Sequence, residues 1–313
     1  MDKNFIDIVN SFCPHGELLS AEVLPGGYSS DVYILHVKVD DKEVRFVLRS
    51  EGSPRSENTI NTEFQLIQSL SEQNLPIPEA VFCDTSLSHF HKPFMIMSFI
   101  EGRVQEPTPK DSDWLDKFAS LLQDVRSIDT SILPKLPVRV DPLEDIFKFI
   151  PKDDEWNDLK KFLSNIPDAV YKGDKTFLHG DFWPGNVLWK EKEIVGLLDW
   201  EYAAIGDPVS DIAVASLELR YSLGEEGMTK FQEKCSKFLA IDSFRLSLWM
   251  IYVASSTLTY IKEWRLPEDR EVIMIREAKQ TIRDAFKKLY RNCLLYTSPS
   301  PRDQRGSRMP SSA

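Results

Sequence analysis

Two runs rich in β-branched and aromatic residues, Val-Tyr-Ile-Leu-His-Val-Lys-Val at 32–39 and Glu-Val-Arg-Phe-Val-Leu-Arg at 43–49, flank Asp40-Asp41-Lys42 and predict a β-hairpin. The chain is therefore expected to begin with a sheet. Ile60, Phe64 and Ile67, with Leu66 and Leu70, then recur at helical spacing until Pro76 and Pro78 stop the pattern. The apolar segment 93–100 leading into Glu101-Gly102 predicts a last strand and a hinge. From Trp114 onward the pattern is mainly helical, broken by the Pro-rich stretch 134–142 and by a strand-and-loop region at 177–211. There is no internal repeat. The pattern predicts an α+β chain with a small sheet-rich lobe over residues 1–100 and a larger helical lobe over 101–293. From Cys293 the composition turns abruptly to Ser, Pro and Arg. Residues 294–313 resemble translated sequencing-adapter read-through and are expected to stay unfolded.

Composition narrows the function. The 313 residues are 42% hydrophobic, enough for a substantial core. Lys and Arg number 38 against 49 Asp and Glu, a net charge of −11, and the three Arg and one Asp of the tail leave −13 on the rest. Such a balance argues against nucleic acid as a partner. Cys13, Cys83, Cys235 and Cys293 lie far apart with no CxxC pair, which suits neither a disulfide framework nor a zinc site and fits a reducing cytoplasm. The chain start has no apolar run of signal-peptide length, and the apolar stretch Leu248–Val253 is too short to span a bilayer. A soluble cytoplasmic protein with no membrane partner, monomeric or homodimeric, is expected.

The chemistry concentrates in Phe177-Leu178-His179-Gly180-Asp181-Phe182-Trp183-Pro184-Gly185-Asn186-Val187-Leu188-Trp189, with the H-x-D-x-x-x-x-N spacing of a kinase catalytic loop. Thirteen residues after Asn186, the apolar run Ile194-Val195-Gly196-Leu197-Leu198 delivers Asp199, and a hairpin between them would bring Asn186 and Asp199 together. Phosphoryl transfer is mostly positioning and charge neutralisation: oxygen ligands hold Mg²⁺ on the nucleotide phosphates while a carboxylate orients the attacking hydroxyl. Singly, Asp181 and Asn186 read as turn residues and Asp199 as a strand-end acid. Their joint spacing favours function.

These motifs, with Leu198-Asp199-Trp200-Glu201-Tyr202-Ala203, Gly206-Asp207-Pro208 and Asp211, resemble the aminoglycoside phosphotransferase and choline kinase group, relatives of protein kinases, over about residues 20–290. The resemblance implies a bilobal protein-kinase-like fold, Asp181 as catalytic base and metal ligands at Asn186 and Asp199. It also implies that Asp211 is a structural acid bracing the catalytic loop and that His179 is a structural partner of that loop.

Weaker signals lie in the first lobe. Leu24-Pro25-Gly26-Gly27-Tyr28-Ser29-Ser30-Asp31-Val32 sits between two strand candidates, where the backbone at Gly27 and the hydroxyls of Ser29 and Ser30 could cradle phosphate, although by itself such a segment is more often an ordinary hairpin turn. Val47 and Arg49 share one strand face, a small apolar residue for the base and a cation for the phosphates. Arg is always charged and forks onto phosphate oxygens. Glu63 is its expected ion-pair partner. Ser98, Phe99 and Ile100, at the strand end before the hinge, complete the nucleotide set that the resemblance implies. Trp249, Tyr252, Tyr260 and Trp264 could form an aromatic cage, but their spacing better suits a core helix.

The expected activity is ATP- and Mg²⁺-dependent phosphorylation of a small-molecule hydroxyl, with GTP as the alternative donor. The acceptor is expected to be cationic, an aminoglycoside or a choline- or ethanolamine-type amino alcohol, because a strongly acidic body concentrates ligands of opposite sign. A macrolide is a further alternative. A protein kinase fits less well, since no A-P-E element follows Asp199. A non-catalytic nucleotide-binding protein is opposed by the intact Asp181, Asn186 and Asp199.

Overall fold

The computed structural model describes residues 3–24, 30–52, 58–108, 112–166 and 170–297. Its first described element is a helix, α1 (Lys3–Phe12), and not the expected sheet. Phe5, Ile8, Val9 and Phe12 recur at helical spacing, and Ile8 and Val9 are buried with Leu18, Leu35, Val37 and Leu48 of the sheet that follows. That sheet is antiparallel, in the order β1 (Glu17–Val23), β2 (Val32–Val39), β3 (Lys42–Ser50), β5 (Phe94–Ser98), β4 (Ala80–Asp84). The β2–β3 hairpin closes on Val39 and Lys42. Asp40 and Asp41 both take left-handed φ, 46° and 58°, the backbone that twists with a two-residue hairpin. Helix α2 (Ile60–Leu70) starts at Thr59, whose hydroxyl accepts the Thr62 N–H. It buries Ile60, Leu66, Ile67 and Leu70, and a carboxylate, Glu63, on the same inner face.

The remaining elements are β6 (Arg103–Val104), α3 (Ser112–Arg126), α4 (Pro142–Phe149), α5 (Asn157–Ser164), β7 (Thr176–Leu178), β8 (Val187–Lys190), β9 (Glu193–Leu197), β10 (Ala204–Gly206), α6 (Val209–Cys235), α7 (Ser243–Tyr260) and α8 (Glu268–Thr297). β6, β8 and β9 form one small sheet, and β7 pairs with β10 in another. The α6 span is interrupted at Gly224, whose φ of 72° and ψ of −170° suit glycine alone.

Two compact units result. Residues 1–141 and 171–240 carry the strands with α1, α2, α3 and α6, and residues 142–170 and 241–313 carry α4, α5, α7 and α8. In the second unit α7 and α8 pack along each other, burying Leu248, Trp249, Ile251, Ala254, Ala278 and Ile282. Phe149 of α4 meets Tyr252 and Tyr260 edge-on at 5.4 and 5.9 Å, so these aromatic residues serve helix packing, as the spacing suggests. Helix α8 continues to Thr297, four residues beyond the expected end of the folded chain. Among the described residues no helix is long and apolar enough to cross a membrane.

Candidate active site

Strand β7 ends at Leu178, held against Ala204 of β10, and releases the chain into His179-Gly180-Asp181. Gly180 has φ +84°, and a Cβ there would stand 1.8 Å from the Tyr202 carbonyl oxygen, so the turn admits only glycine. The N–H groups of His179 and Gly180 donate to the two oxygens of Asp211, at 2.8 and 3.0 Å, from the first turn of α6. Burial pushes the Asp211 carboxyl up to about 6, while these two donors favour its charged form. His179 is fully buried beside the Trp200 ring. Its Nε2 lies 2.9 Å from the Leu198 carbonyl and must carry the hydrogen, since a carbonyl only accepts; Nδ1 accepts the Asp181 N–H at 3.3 Å. Burial lowers its pKa to about 4, so His179 is a neutral strut.

From Asp181 to Asn186 the loop alternates partly exposed and buried residues. Phe177 and Phe182 are buried, stacked on Trp200 and Phe118 respectively. Asp181 between them is only partly buried, and its Oδ2 accepts from Trp183 Nε1 and Asn186 Nδ2, each at 3.2 Å. Asn186 Nδ2 also donates to the Asp181 carbonyl at 2.9 Å, which turns the Asn186 amide oxygen away from Asp181. The β8–β9 hairpin pairs Val187 with Leu197, and the Leu198 N–H reaches the Asn186 carbonyl at 2.9 Å, bringing Asp199 beside Asn186 as the spacing predicts. Asp199 has φ +68°, an uncommon backbone for a residue with a side chain. Burial first, and the nearby Asp199 charge second, push the Asp181 carboxyl up to about 7.

Arg49, at the end of β3, is buried among three carboxylates. Its Nη1 bonds Glu63 of α2, and its Nη2 bonds Asp199 Oδ1 at 2.7 Å and Glu201 Oε2 at 2.9 Å. Burial opposes its charge, but Glu63, Asp199 and Glu201 outweigh that cost and raise its pKa. Burial raises Glu63 to about 6 against the pull of Arg49. Glu63 also accepts the Trp200 N–H at 3.3 Å, and Asn58 donates its side chain to the Ala203 carbonyl at 2.8 Å and its N–H to Glu201 O at 3.1 Å. The turn carrying Asp199 is thus tied to the start of α2.

Of the other expected nucleotide residues, Gly27 and Ser29 lie outside the described residues. Ser30 lies in a bend two residues before β2, and Val47 pairs with Ile34 and Met97 within the sheet. Ser98 donates its N–H to the Glu79 carbonyl and accepts the Glu79 N–H on its hydroxyl, both at 2.9 Å. The Phe99 ring lies under the Arg45 guanidinium at 4.1 Å, and Ile100 lies against Gly196 of β9. Sequence reasoning assigned no role to Asn58, Trp183 or Glu201. Only Glu201 had a signal, its position two residues beyond Asp199.

Among the described residues no three His, Cys, Asp or Glu side chains gather into a metal cage. A magnesium site needs none, because this ion is held by one or two carboxylates together with phosphate oxygens and water. The hard oxygen donors of Asn186 and Asp199, with the Asp181 carboxyl close enough to feel the Asp199 charge, fit such an ion.

The family model described as the phosphotransferase enzyme family matches residues 20–233. Among curated proteins, acyl-CoA dehydrogenase family member 10 of Mus musculus is 23% identical over 61% of this chain and 20% of its own length. Acyl-CoA dehydrogenase family member 11 of Pongo abelii is 22% identical over 65% and 30%. The chain therefore spans between a fifth and a third of these relatives. Among solved structures, a Ralstonia eutropha protein assigned to the aminoglycoside phosphotransferases has a TM-score of 0.68 at 15% identity, covering 92% of this chain and 98% of that one. An aminoglycoside phosphotransferase in complex with GDP and kanamycin has 0.65 at 17%, covering 90% and 99%. A macrolide 2′-phosphotransferase has 0.59 at 16%, covering 90% and 98%. The shared fold is protein-kinase-like, with a sheet-rich N-terminal region and a helical C-terminal part, and, with its model matching well over half of the residues, this chain belongs to the phosphotransferase enzyme family.

Proposed function

We propose that this chain transfers the γ-phosphoryl group of ATP, or of GTP as the alternative donor, to a hydroxyl of a small molecule. The observation that carries the reading is one partly exposed carboxylate, Asp181, held among the described residues through Oδ2, with Asn186 and Asp199 gathered beside it by the β8–β9 hairpin. In this reaction the acceptor oxygen bonds to the γ-phosphorus, the bond from that phosphorus to the β,γ-bridging oxygen breaks to release the nucleoside diphosphate, and the hydroxyl proton passes to Asp181. Arg49, kept in place by Glu63, faces the phosphates, and Val47 with Ser98, Phe99 and Ile100 borders the base. Bound magnesium, held by Asn186 and Asp199, would neutralise charge on the phosphates. Residues 1–100 serve the nucleotide, 101–293 the chemistry and the acceptor, and the remaining tail neither. The protein works in the cytoplasm, as a monomer or a homodimer.

Asn186→Ala and Asp199→Ala are expected to raise the Mg²⁺ concentration needed for half-maximal nucleotide consumption, Asp199→Ala the more, because it removes a full charge. Metal titrations that superimpose on the parent protein's would remove both from the ligand set.

A cationic acceptor is supported by the charge of −11 and by structural neighbours whose complexes hold kanamycin or hygromycin B. Its KM is expected to rise severalfold as ionic strength goes from about 0.01 M to about 0.15 M, where the screening length falls from ~30 to ~8 Å. A flat KM, or an uncharged best substrate, would end the electrostatic argument while leaving phosphotransfer standing. A second reading, a hydroxylated acyl thioester, is favoured by curated relatives named for acyl-CoA dehydrogenases. Nucleotide consumption by residues 1–297 against aminoglycosides, amino alcohols, macrolides and hydroxyacyl-CoA esters separates the readings. No consumption with any acceptor class, under conditions where the nucleotide binds, would count against phosphotransfer.

A further inference from the structure

Trp183 lies two residues beyond Asp181 in extended backbone (φ −149°, ψ 164°), immediately before the short 3₁₀ turn Pro184–Asn186. Its ring folds back over Gly185, where a Cβ would come within 2.1 Å of the indole. The indole N–H lies 3.2 Å from Asp181 Oδ2. Among the other indoles, Trp156, Trp189 and Trp200 are buried, and their N–H groups find no partner among the described residues. Trp183 differs on both counts: it is partly exposed, and its N–H goes to the carboxylate at the centre of the site. Indole only donates and does not titrate in the working range, so it can hold an anion without competing for the proton that the anion must take. Asn186 supplies the second donor to the same oxygen, and Asp181 Oδ1 has no donor among the described residues.

We infer that Trp183 is a positioning residue for the base: with Asn186 it fixes the Asp181 carboxylate through Oδ2, so that Oδ1 is the oxygen offered to the acceptor hydroxyl. Gly185 belongs to this device, because any side chain there displaces the ring that carries the donor. The inference rests on the phosphotransfer reading above for its consequence, and on the Trp183–Asp181 bond for its mechanism.

The test uses the full chain with Mg²⁺–ATP and water as the acceptor, so that no substrate need be known. Trp183→Phe keeps an aromatic ring and removes the donor; Gly185→Ala keeps the donor and displaces the ring. Both are expected to lower kcat for ATP hydrolysis about tenfold with the KM for ATP within about twofold of the parent, the split expected when a transition-state contact is lost. Unchanged kcat in Trp183→Phe, or kcat, KM and melting temperature shifting together in both variants, would overturn the inference. A readout independent of turnover is the ¹H–¹⁵N indole signal missing from Trp183→Phe. In the parent protein it should move upfield on Asp181→Asn, as the charged acceptor is replaced by a neutral one. A signal that stays put overturns the contact. A parent protein that binds ATP but consumes none with water or with any of the acceptor classes above, while its indole signal moves, would defeat the phosphotransfer reading and leave the Trp183–Asp181 contact standing.

Discussion

Asp181→Asn is expected to lower turnover by roughly 10² to 10⁴, the reach of a positioned general base, while leaving nucleotide affinity close to that of the parent. The same substitution is expected to raise stability. Burial and the Asp199 charge hold the Asp181 carboxyl up to about 7, so above that pH the folded protein carries a carboxylate that would sooner be neutral. A group whose folded pKa lies above its unfolded value stabilises fully below the unfolded value, here 3.8, and loses that contribution as pH rises through the folded one. The gain from Asn should therefore be about 1–3 kcal/mol at pH 8 without metal, and should vanish near pH 4. Paired turnover and urea-unfolding measurements check both halves. Near-parent turnover would remove Asp181 from the base position, and a destabilised variant at pH 8 would mean that the carboxylate is better solvated than its surroundings imply.

The site's framework was legible in the sequence because it depends on backbone punctuation. His179-Gly180-Asp181, Asn186 and Asp199 sit at turns and strand ends, where spacing along the chain fixes spacing in space, and the hairpin between Asn186 and Asp199 followed from the apolar run before Asp199. Arg49 was also legible from strand alternation, and Glu63 as its ion-pair partner from the kinase-like arrangement that Arg49 suggested. The donors that lock these groups were not. Asn58 bonds a carbonyl 145 positions away, a partner set by tertiary packing, and although the Trp183 partner is local, a Trp beside a Pro carries no pattern that separates a base-holding indole from a core ring. Helix α1 was missed for another reason: its signal, Phe5, Ile8, Val9 and Phe12, was present but lies before the more conspicuous β-hairpin.

Arg49→Met should cost about 3–5 kcal/mol at pH 8, the usual penalty for leaving buried charge without its partner. One guanidinium here faces Glu63, Asp199 and Glu201, and Glu63 and Glu201 have side chains only 3% and 5% exposed. Met preserves much of the apolar stem and none of the charge. The loss should shrink on acidification, because Glu63 already titrates near 6 with Arg49 present and must rise further without it. Its folded pKa exceeds its unfolded 4.5, so protonation restores stability as pH falls through that window. Urea unfolding at pH 8 and pH 5 should show the larger loss at pH 8. A loss below about 1 kcal/mol, or one equal at both values, would mean that water or other groups already compensate these carboxylates.

The Arg49 cluster joins residues 150 and 152 positions apart in the chain, Asp199 and Glu201. Closing so long a loop is entropically slow compared with forming the β2–β3 hairpin or α2, so these bonds should form late in folding. During synthesis the first hundred residues emerge with Arg49 and Glu63 but without their two distant acids, and the charge cluster is complete only once the turn at Asp199 forms. The same topology suits a split reporter: fragments cut within the exposed Glu191-Lys192 turn regain their charge pairing only when both halves are present, so recovered activity would report their association.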